Sequence, residues 1–180
     1  MKEIITVLIS KEEIDEKINE IAAAIENDYA GKELVIVCIL MGGMIFMSDL
    51  SRKIRRTTIL FERLIASSYG MDTETSGSVA IKLYPEQSLA DKNVLIVEDI
   101  VDTGRSIDYV IRYINTQKPK SLKICTLLNK PYKRAVHGLK IDYMGFVIEN
   151  HFVVGYGMDC AGKYRNLPYI GILETSENIK

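Results

Sequence analysis

The sequence predicts an α/β fold: a mostly parallel, twisted sheet flanked by helices. Three observations lead there. Residues 34–40 (LVIVCIL) and 94–97 (VLIV) are continuously apolar and rich in β-branched side chains, as strands covered on both faces are. Segments with helical apolar spacing alternate with such runs. Strand, helix and strand in succession imply right-handed crossovers and parallel pairing.

Taken in order, Ser10-Lys11-Glu12-Glu13 reads as a capping box, and Ile14, Ile18, Ile21 and Ile25 follow on one helical face. Gly31 marks the stop. After strand 34–40, Met41-Gly42-Gly43 breaks the run, and residues 44–54 read as a second helix with Phe46, Met47, Leu50 and Ile54 apolar. Residues 57–66 resemble a strand. Residues 67–78 (SSYGMDTETSGS) are polar, Gly-rich and aperiodic, which predicts a mobile loop. Val79, Ile81 and Leu83 alternate with less apolar neighbours and suit a return strand, so this middle piece reads as a long hairpin. Strand 94–97 leads into segment 98–106 and then a helix with Ile107, Val110, Ile111 and Ile114 on one side. Pro119 ends that connection, residues 122–128 give a further strand, and 142–148 and 152–156 are short strands of the tail.

A chain of 180 residues with 47% hydrophobic and 26% charged residues has the size and balance of one domain, here residues 1–180, with a single sizeable core. The net charge of −1 offers no basic excess for nucleic acid. Acidic residues interrupt the first twenty positions, unlike a signal peptide, and no apolar run approaches the roughly 18 residues that span a bilayer. Cys38 and Cys125 fall inside apolar strands as small buried side chains, Cys160 falls in a loop, and none has metal-ligand spacing. A reduced, cytoplasmic enzyme without membrane or nucleic-acid partners is the expectation.

The most informative run is VLIVEDIVDTGRS, residues 94–106. An apolar strand ends in Glu98 and Asp99, a third carboxylate follows at Asp102, and Thr103-Gly104-Arg105-Ser106 opens a helix. Ligands of open α/β sheets bind beyond the carboxyl ends of strands. The turn offers free amides and two hydroxyls, with Gly104 allowing close approach: a phosphate-sized anion site. Carboxylates beside a phosphate cradle are reconciled by a ribose 5-phosphate. The turn takes the phosphate, while Glu98 and Asp99 accept from the ribose hydroxyls, directly or through Mg2+. The competing explanation, solvated acids with Asp102 as a helix cap, does not account for the ordered array. P-loop and dinucleotide motifs are absent, and no nucleophile motif is present.

This run resembles the phosphoribosyl pyrophosphate (PRPP) signature of type I phosphoribosyltransferases. SSYG (67–70), LLNKP (127–131), FVVGYGMD (152–159) and YRNLPYIG (164–171) are similar to the bacterial hypoxanthine–guanine branch, collinear from Leu34 to Leu173. The resemblance implies the type I fold, with a mobile hairpin loop and a small hood for the base from about 145–180, with or without the N-terminal segment. It implies transfer of the 5-phosphoribosyl group from PRPP to N9 of hypoxanthine or guanine, giving IMP or GMP and pyrophosphate in purine salvage, with Mg2+.

The same resemblance assigns roles. Asp102 is the general base toward purine N7, and Glu98, Asp99, Asp102, Thr103, Gly104, Arg105 and Ser106 bind the ribose phosphate. Lys130 donates to the 6-oxo group, Phe152 stacks on the base, and the Val153 backbone reads its edge. Asp159 belongs to the purine side and, with Glu98 and Asp99, to the metal. Met41, Gly42 and Arg165 bind pyrophosphate, and Ser68 and Tyr69 belong to loop closure. Met41 departs from the family, where Lys or Arg is frequent, so backbone amides must serve there; the Leu40–Met41 peptide is expected to be cis. Cys160 replaces a frequent tyrosine. Two other readings are a preference for xanthine, which Lys130 would serve equally, and a regulator that binds PRPP without turnover, which the complete set of base-site residues disfavours. The family forms dimers and tetramers, and Met44, Phe46 and Met47 mark the second helix as a contact.

Overall fold

The computed structural model describes residues 3–68, 79–83 and 88–175. The elements in chain order are β1 (Glu3–Ile9), α1 (Lys11–Tyr29), β2 (Glu33–Leu40), α2 (Met44–Lys53), β3 (Thr58–Ser68), β4 (Val79–Leu83), β5 (Asn93–Val101), α3 (Arg105–Thr116), β6 (Ser121–Asn129), β7 (Tyr143–Val147), β8 (Val153–Val154) and β9 (Ile170–Thr175).

Six strands form one sheet in the order β4-β3-β2-β5-β6-β7. β3, β2, β5, β6 and β7 are parallel, and β4 returns antiparallel beside β3 as the expected hairpin arm. The strand alternation divides the core into two layers. Leu34 and Ile36 of β2 with Leu95 and Val97 of β5 pack toward α1 and α2. Val35, Val37 and Ile39 with Val94 and Ile96 pack toward α3 through Ile107, Val110 and Ile114. Both faces are covered, which is why these strands read as unbroken apolar runs. α1 begins at the expected capping box: Glu13 N donates to Ser10 Oγ at 3.2 Å, and Ser10 N donates to Glu13 Oε2 at 2.8 Å.

A second sheet, ordered β1-β9-β8, joins residues near both ends of the described chain, with Glu3 opposite Thr175 and Val153 opposite Ile172. Three expectations are corrected. β5 runs four residues past Val97, because its backbone stays in register with β6 through Val101 opposite Asn129. Glu98 and Asp99 therefore sit within the strand and only Asp102 lies beyond it. The loop expected from residue 67 starts later, since Ser67 and Ser68 pair with Ala80 and Val79. The rest of the expected mobile loop, including Tyr69, lies outside the described residues. The tail strand expected over 152–156 shortens to Val153–Val154, because Gly155 turns with φ +97° and bridges back to Met158. On α2, Phe46 is fully buried, leaving Met44 exposed.

Candidate active site

The carboxyl ends of β2, β5 and β6 open on one side of the sheet and carry the candidate residues. After β2, the Leu40–Met41 peptide is cis, as the resemblance implied. Met41 is 53% exposed, so its uncharged side chain faces solvent. Gly42 next to it is required by packing: a Cβ there would lie 1.9 Å from Asp99 Oδ2. Gly157, at φ +102°, packs in turn on the Gly42 carbonyl, where a Cβ would come within 2.2 Å. The β2 turn, the β5 carboxylates and the 155–158 turn are thus in contact.

Asp99 is 8% exposed, and its Oδ1 accepts from the Ile100 amide at 2.9 Å. Burial pushes its carboxyl upward, opposed by the Glu98 hydrogen bond, the backbone amides and the charge of Arg165. Burial raises Glu98 well above the ordinary carboxylate range, and the Asp99 charge adds to it. Glu98 Oε2 is buried without a hydrogen-bond partner among the described residues. Two adjacent carboxylates, one buried and one half-buried with an orphaned oxygen, suit a hard, oxygen-seeking cation such as Mg2+, which also takes ligands from substrate phosphates and water. Asp159 is engaged differently: its Oδ1 pairs with Arg165 Nη2 at 2.6 Å, and its Oδ2 accepts from the Gly162 amide at 2.8 Å. Arg165 Nη1 also donates to the Gly157 carbonyl at 2.6 Å, which fixes the guanidinium beside the turn.

Beyond β5, Gly104 takes φ +83° and caps α3 without a side-chain hydrogen bond. Thr103, Arg105 and Ser106 are exposed around it, and the Arg105 amide donates to Thr103 Oγ1 at 3.4 Å; the first amides of a helix lack intrahelical acceptors and suit an anion. Asp102 Oδ1 is buried and unpartnered among the described residues, and Oδ2 lies 3.8 Å from Lys130 Nζ. Lys130 follows β6, is 6% exposed, and donates to the His151 carbonyl at 2.7 Å. Burial lowers its pKa, partly countered by Asp102.

Asp102 and Lys130 line a cavity of about 570 Å³ with Lys133, Phe152, Ile172 and Glu174. Phe152 is 52% exposed, so it presents its ring to this opening and is not part of the core, whereas the Val153 side chain is buried. The Phe152 carbonyl accepts from the Leu173 amide at 2.9 Å, tying the aromatic to β9. A second cavity of about 550 Å³ lies toward the start of β6, but its carboxylates are already paired, Asp142 with Lys140 and Asp108 with Arg112. Burial pushes the Cys38 thiol up to about 12 and Cys125 higher, so neither is a ready nucleophile.

Arg134, Lys133, Ile172, Glu174 and the His151 carbonyl were not anticipated. Only the cation run Lys130 to Arg134 hinted at the first two, and a run of that kind is usually solvated. Among the described residues, no helix is long and apolar enough to cross a membrane.

The chain matches the phosphoribosyl transferase domain over residues 10–161. It is 44% identical over 168 residues to the bifunctional protein TilS/HprT of Listeria monocytogenes, covering 93% of this chain but 26% of that protein, so it spans about a quarter of such relatives. It is 41% identical to the hypoxanthine-guanine phosphoribosyltransferase of Bacillus subtilis, covering 93% of this chain and 92% of the relative. A crystal structure of a hypoxanthine-guanine phosphoribosyltransferase from Bacillus anthracis, with a HEPES molecule in its active site, superposes with a TM-score of 0.88 at 42% identity, covering 97% of this chain and 100% of the other. With the parallel sheet and the carboxylate-bearing end of β5 in place, the chain belongs to the phosphoribosyltransferase family, in its hypoxanthine–guanine branch.

Proposed function

We propose that this chain transfers the 5-phosphoribosyl group of PRPP to N9 of hypoxanthine or guanine, forming IMP or GMP and releasing pyrophosphate. The observation that carries the reading is the Lys130–Asp102 pair, 3.8 Å apart in the cavity beside Phe152. A buried cationic donor next to a carboxylate with an unpartnered oxygen matches the O6 acceptor and the N7–H donor along one edge of a 6-oxopurine.

In the reaction, the purine N9 lone pair forms the bond to C1 as the C1–oxygen bond to pyrophosphate breaks. The N7 proton passes to Asp102, and donation from Lys130 to O6 stabilises the electron density left on the ring. Phe152 stacks on the base, and the Val153 backbone reads its edge. The α3 amides with Thr103 and Ser106 hold the 5-phosphate, and Glu98 and Asp99 orient the ribose hydroxyls. The Gly42 turn and Arg165 hold pyrophosphate by amides and guanidinium, since Met41 supplies no charge. Mg2+ on Glu98 and Asp99, with Asp159 close by, would supply positive charge for the departing pyrophosphate. Residues 68–69 belong to a closing segment that excludes water. The chain works in the cytoplasm as one domain with the β1-β9-β8 sheet as its hood, and self-associates through the exposed Met44 side of α2.

The test is product formation from hypoxanthine, guanine and xanthine separately, each with PRPP and Mg2+, beside Asp102→Ala. IMP and GMP should form, with a loss on the order of 10²–10⁴-fold in the variant, the range for a positioned acid–base group. PRPP binding without turnover of any base would refute the assignment.

A further inference from the structure

Tyr156 stands in a conformation that a tyrosine seldom adopts, and the reaction outlined above gives it no part. Its φ is +50°, between Gly155 at +97° and Gly157 at +102°, so three successive residues have positive φ. For a bulky side chain this region is an outlier that only the surroundings can hold. The turn it creates is the one that lays Gly157 on the Gly42 carbonyl, where a Cβ would come within 2.2 Å.

The side chain accounts for the holding. Tyr156 is 6% exposed, and its ring belongs to the core layer shared with α1 and α2. Its hydroxyl donates to Asp49 Oδ2 in the middle of α2, while Asp49 Oδ1 accepts from Arg52. Its backbone reaches the other way: Tyr156 N donates to the Leu167 carbonyl at 2.9 Å, and Gly157 N to the Arg165 carbonyl at 3.0 Å. α2 starts directly from the β2 turn, with the Met47 amide donating to the Gly43 carbonyl at 2.9 Å. Tyr156 thus joins the helix that continues from Gly42 and Gly43 to the segment that carries Arg165. Packing alone does not close this joint, since a cavity of about 230 Å³ opens beside it among Ile45, Asp49, Tyr156 and Leu167.

We propose that Tyr156 is a positioning residue for the pyrophosphate side of the site: bonded to Asp49, it seats the 155–158 turn on Gly42 and so fixes the spacing between the Gly42 turn and Arg165. The inference rests on the function proposed above, which gives both of those groups to pyrophosphate. Without the hydroxyl, the turn keeps its ring in the core but loses its tie to α2. Arg165, whose guanidinium donates to the Gly157 carbonyl, moves with the turn. Lys130 and Asp102 follow other strands and Phe152 is tied to β9, so the base keeps its partners.

The experiment is a double-mutant cycle of Tyr156→Phe with Asp49→Ala, with Asp49→Asn as the conservative variant. Binding of pyrophosphate with Mg2+ and of IMP is measured by calorimetry, kcat and both KM values by IMP formation, and thermal melts confirm that each variant is folded. Tyr156→Phe should weaken pyrophosphate binding and raise KM for PRPP on the order of 10-fold, the value of one hydrogen bond to a charged group. IMP affinity and KM for hypoxanthine should stay at the parent values. Asp49→Ala should match Tyr156→Phe, and the double variant should lose no more than either single. Asp49→Asn, whose amide oxygen still accepts, should keep most of the affinity. Pyrophosphate binding at the parent level in Tyr156→Phe, additive losses, an equal weakening of IMP, or a parent without pyrophosphate affinity would overturn the proposal. If Asp49→Ala does not fold, Tyr156→Phe and Asp49→Asn decide it. If the parent binds pyrophosphate but makes no product, the proposed activity fails while the binding cycle still decides the role of Tyr156.

Discussion

Two lysines bracket strand β6, and they behave in opposite ways. Near its start, Lys123 is fully committed: its Nζ lies 2.6 Å from Asp28 Oδ2 and 3.1 Å from the Tyr143 hydroxyl. The rings of Tyr29 and Tyr143 lie 5.3 and 5.2 Å from it, within cation–π range. Burial alone would lower its pKa, but Asp28 and its neighbours together raise it. Just past the other end, Lys130 is more deeply buried yet less satisfied, and burial prevails to lower its pKa. Asp102 stands off from it with one oxygen free. The first lysine closes a local structure that joins α1, β6 and β7. The second is held in readiness, which costs stability and leaves room for a ligand.

Substitution should separate the two. Lys130→Met should reduce kcat/KM for hypoxanthine about 10- to 100-fold, the value of one hydrogen bond to a charged group, with no fall in melting temperature. A variant that loses its fold instead would place Lys130 with Lys123 as a structural residue. Lys123→Met should do the reverse, costing about 1 kcal/mol in denaturant unfolding while kcat stays at the parent value. The smallest effect is in alkaline stability. Lys123, with its pKa raised in the fold, contributes fully below the unfolded lysine value and loses that contribution as pH rises through its folded pKa. Lys130, with its pKa lowered, has the opposite sign: the unfolded chain binds more protons in the window between the two pKa values, so stability rises with pH across it. Unfolding titrations at alkaline pH should therefore show Lys123→Met removing a loss and Lys130→Met removing a gain. Identical slopes in both variants would erase the distinction.

The legible parts of the molecule are those in which neighbours in space are neighbours in sequence. The strand, carboxylates and turn of residues 94–106 could be read from spacing, because β5 and α3 are consecutive and the candidate groups lie in the last part of β5 or just beyond it. Even there the strand end was misplaced, since only the register with β6 shows that pairing continues to Val101. Lys130 and Phe152 came into view through family resemblance alone: a lysine after a strand and an aromatic before a short one have ordinary explanations. β1 was missed because four of its seven residues are exposed and two more are only half-buried, leaving no buried alternation to detect. Ile172 and Glu174 reach the cavity through the pairing of β9 with β8 and β1, which no local pattern encodes. Arg134 sits in a stretch of cations that looks solvated, and its buried Nη1 depends on Gly104, thirty positions earlier.

The pairing of Glu3 with Thr175 has a kinetic consequence. The large sheet is assembled from crossovers between strands that follow one another closely, whereas the small sheet closes a loop spanning nearly all the described residues. Contacts of such sequence separation form late, after the entropy of loop closure has been met. On a ribosome, the turn between β5 and α3 can take shape while the chain is still emerging, but the platform behind Phe152 must wait for the ninth strand. A stalled or truncated product would hold the turn between β5 and α3 without the strand pairing that backs Phe152.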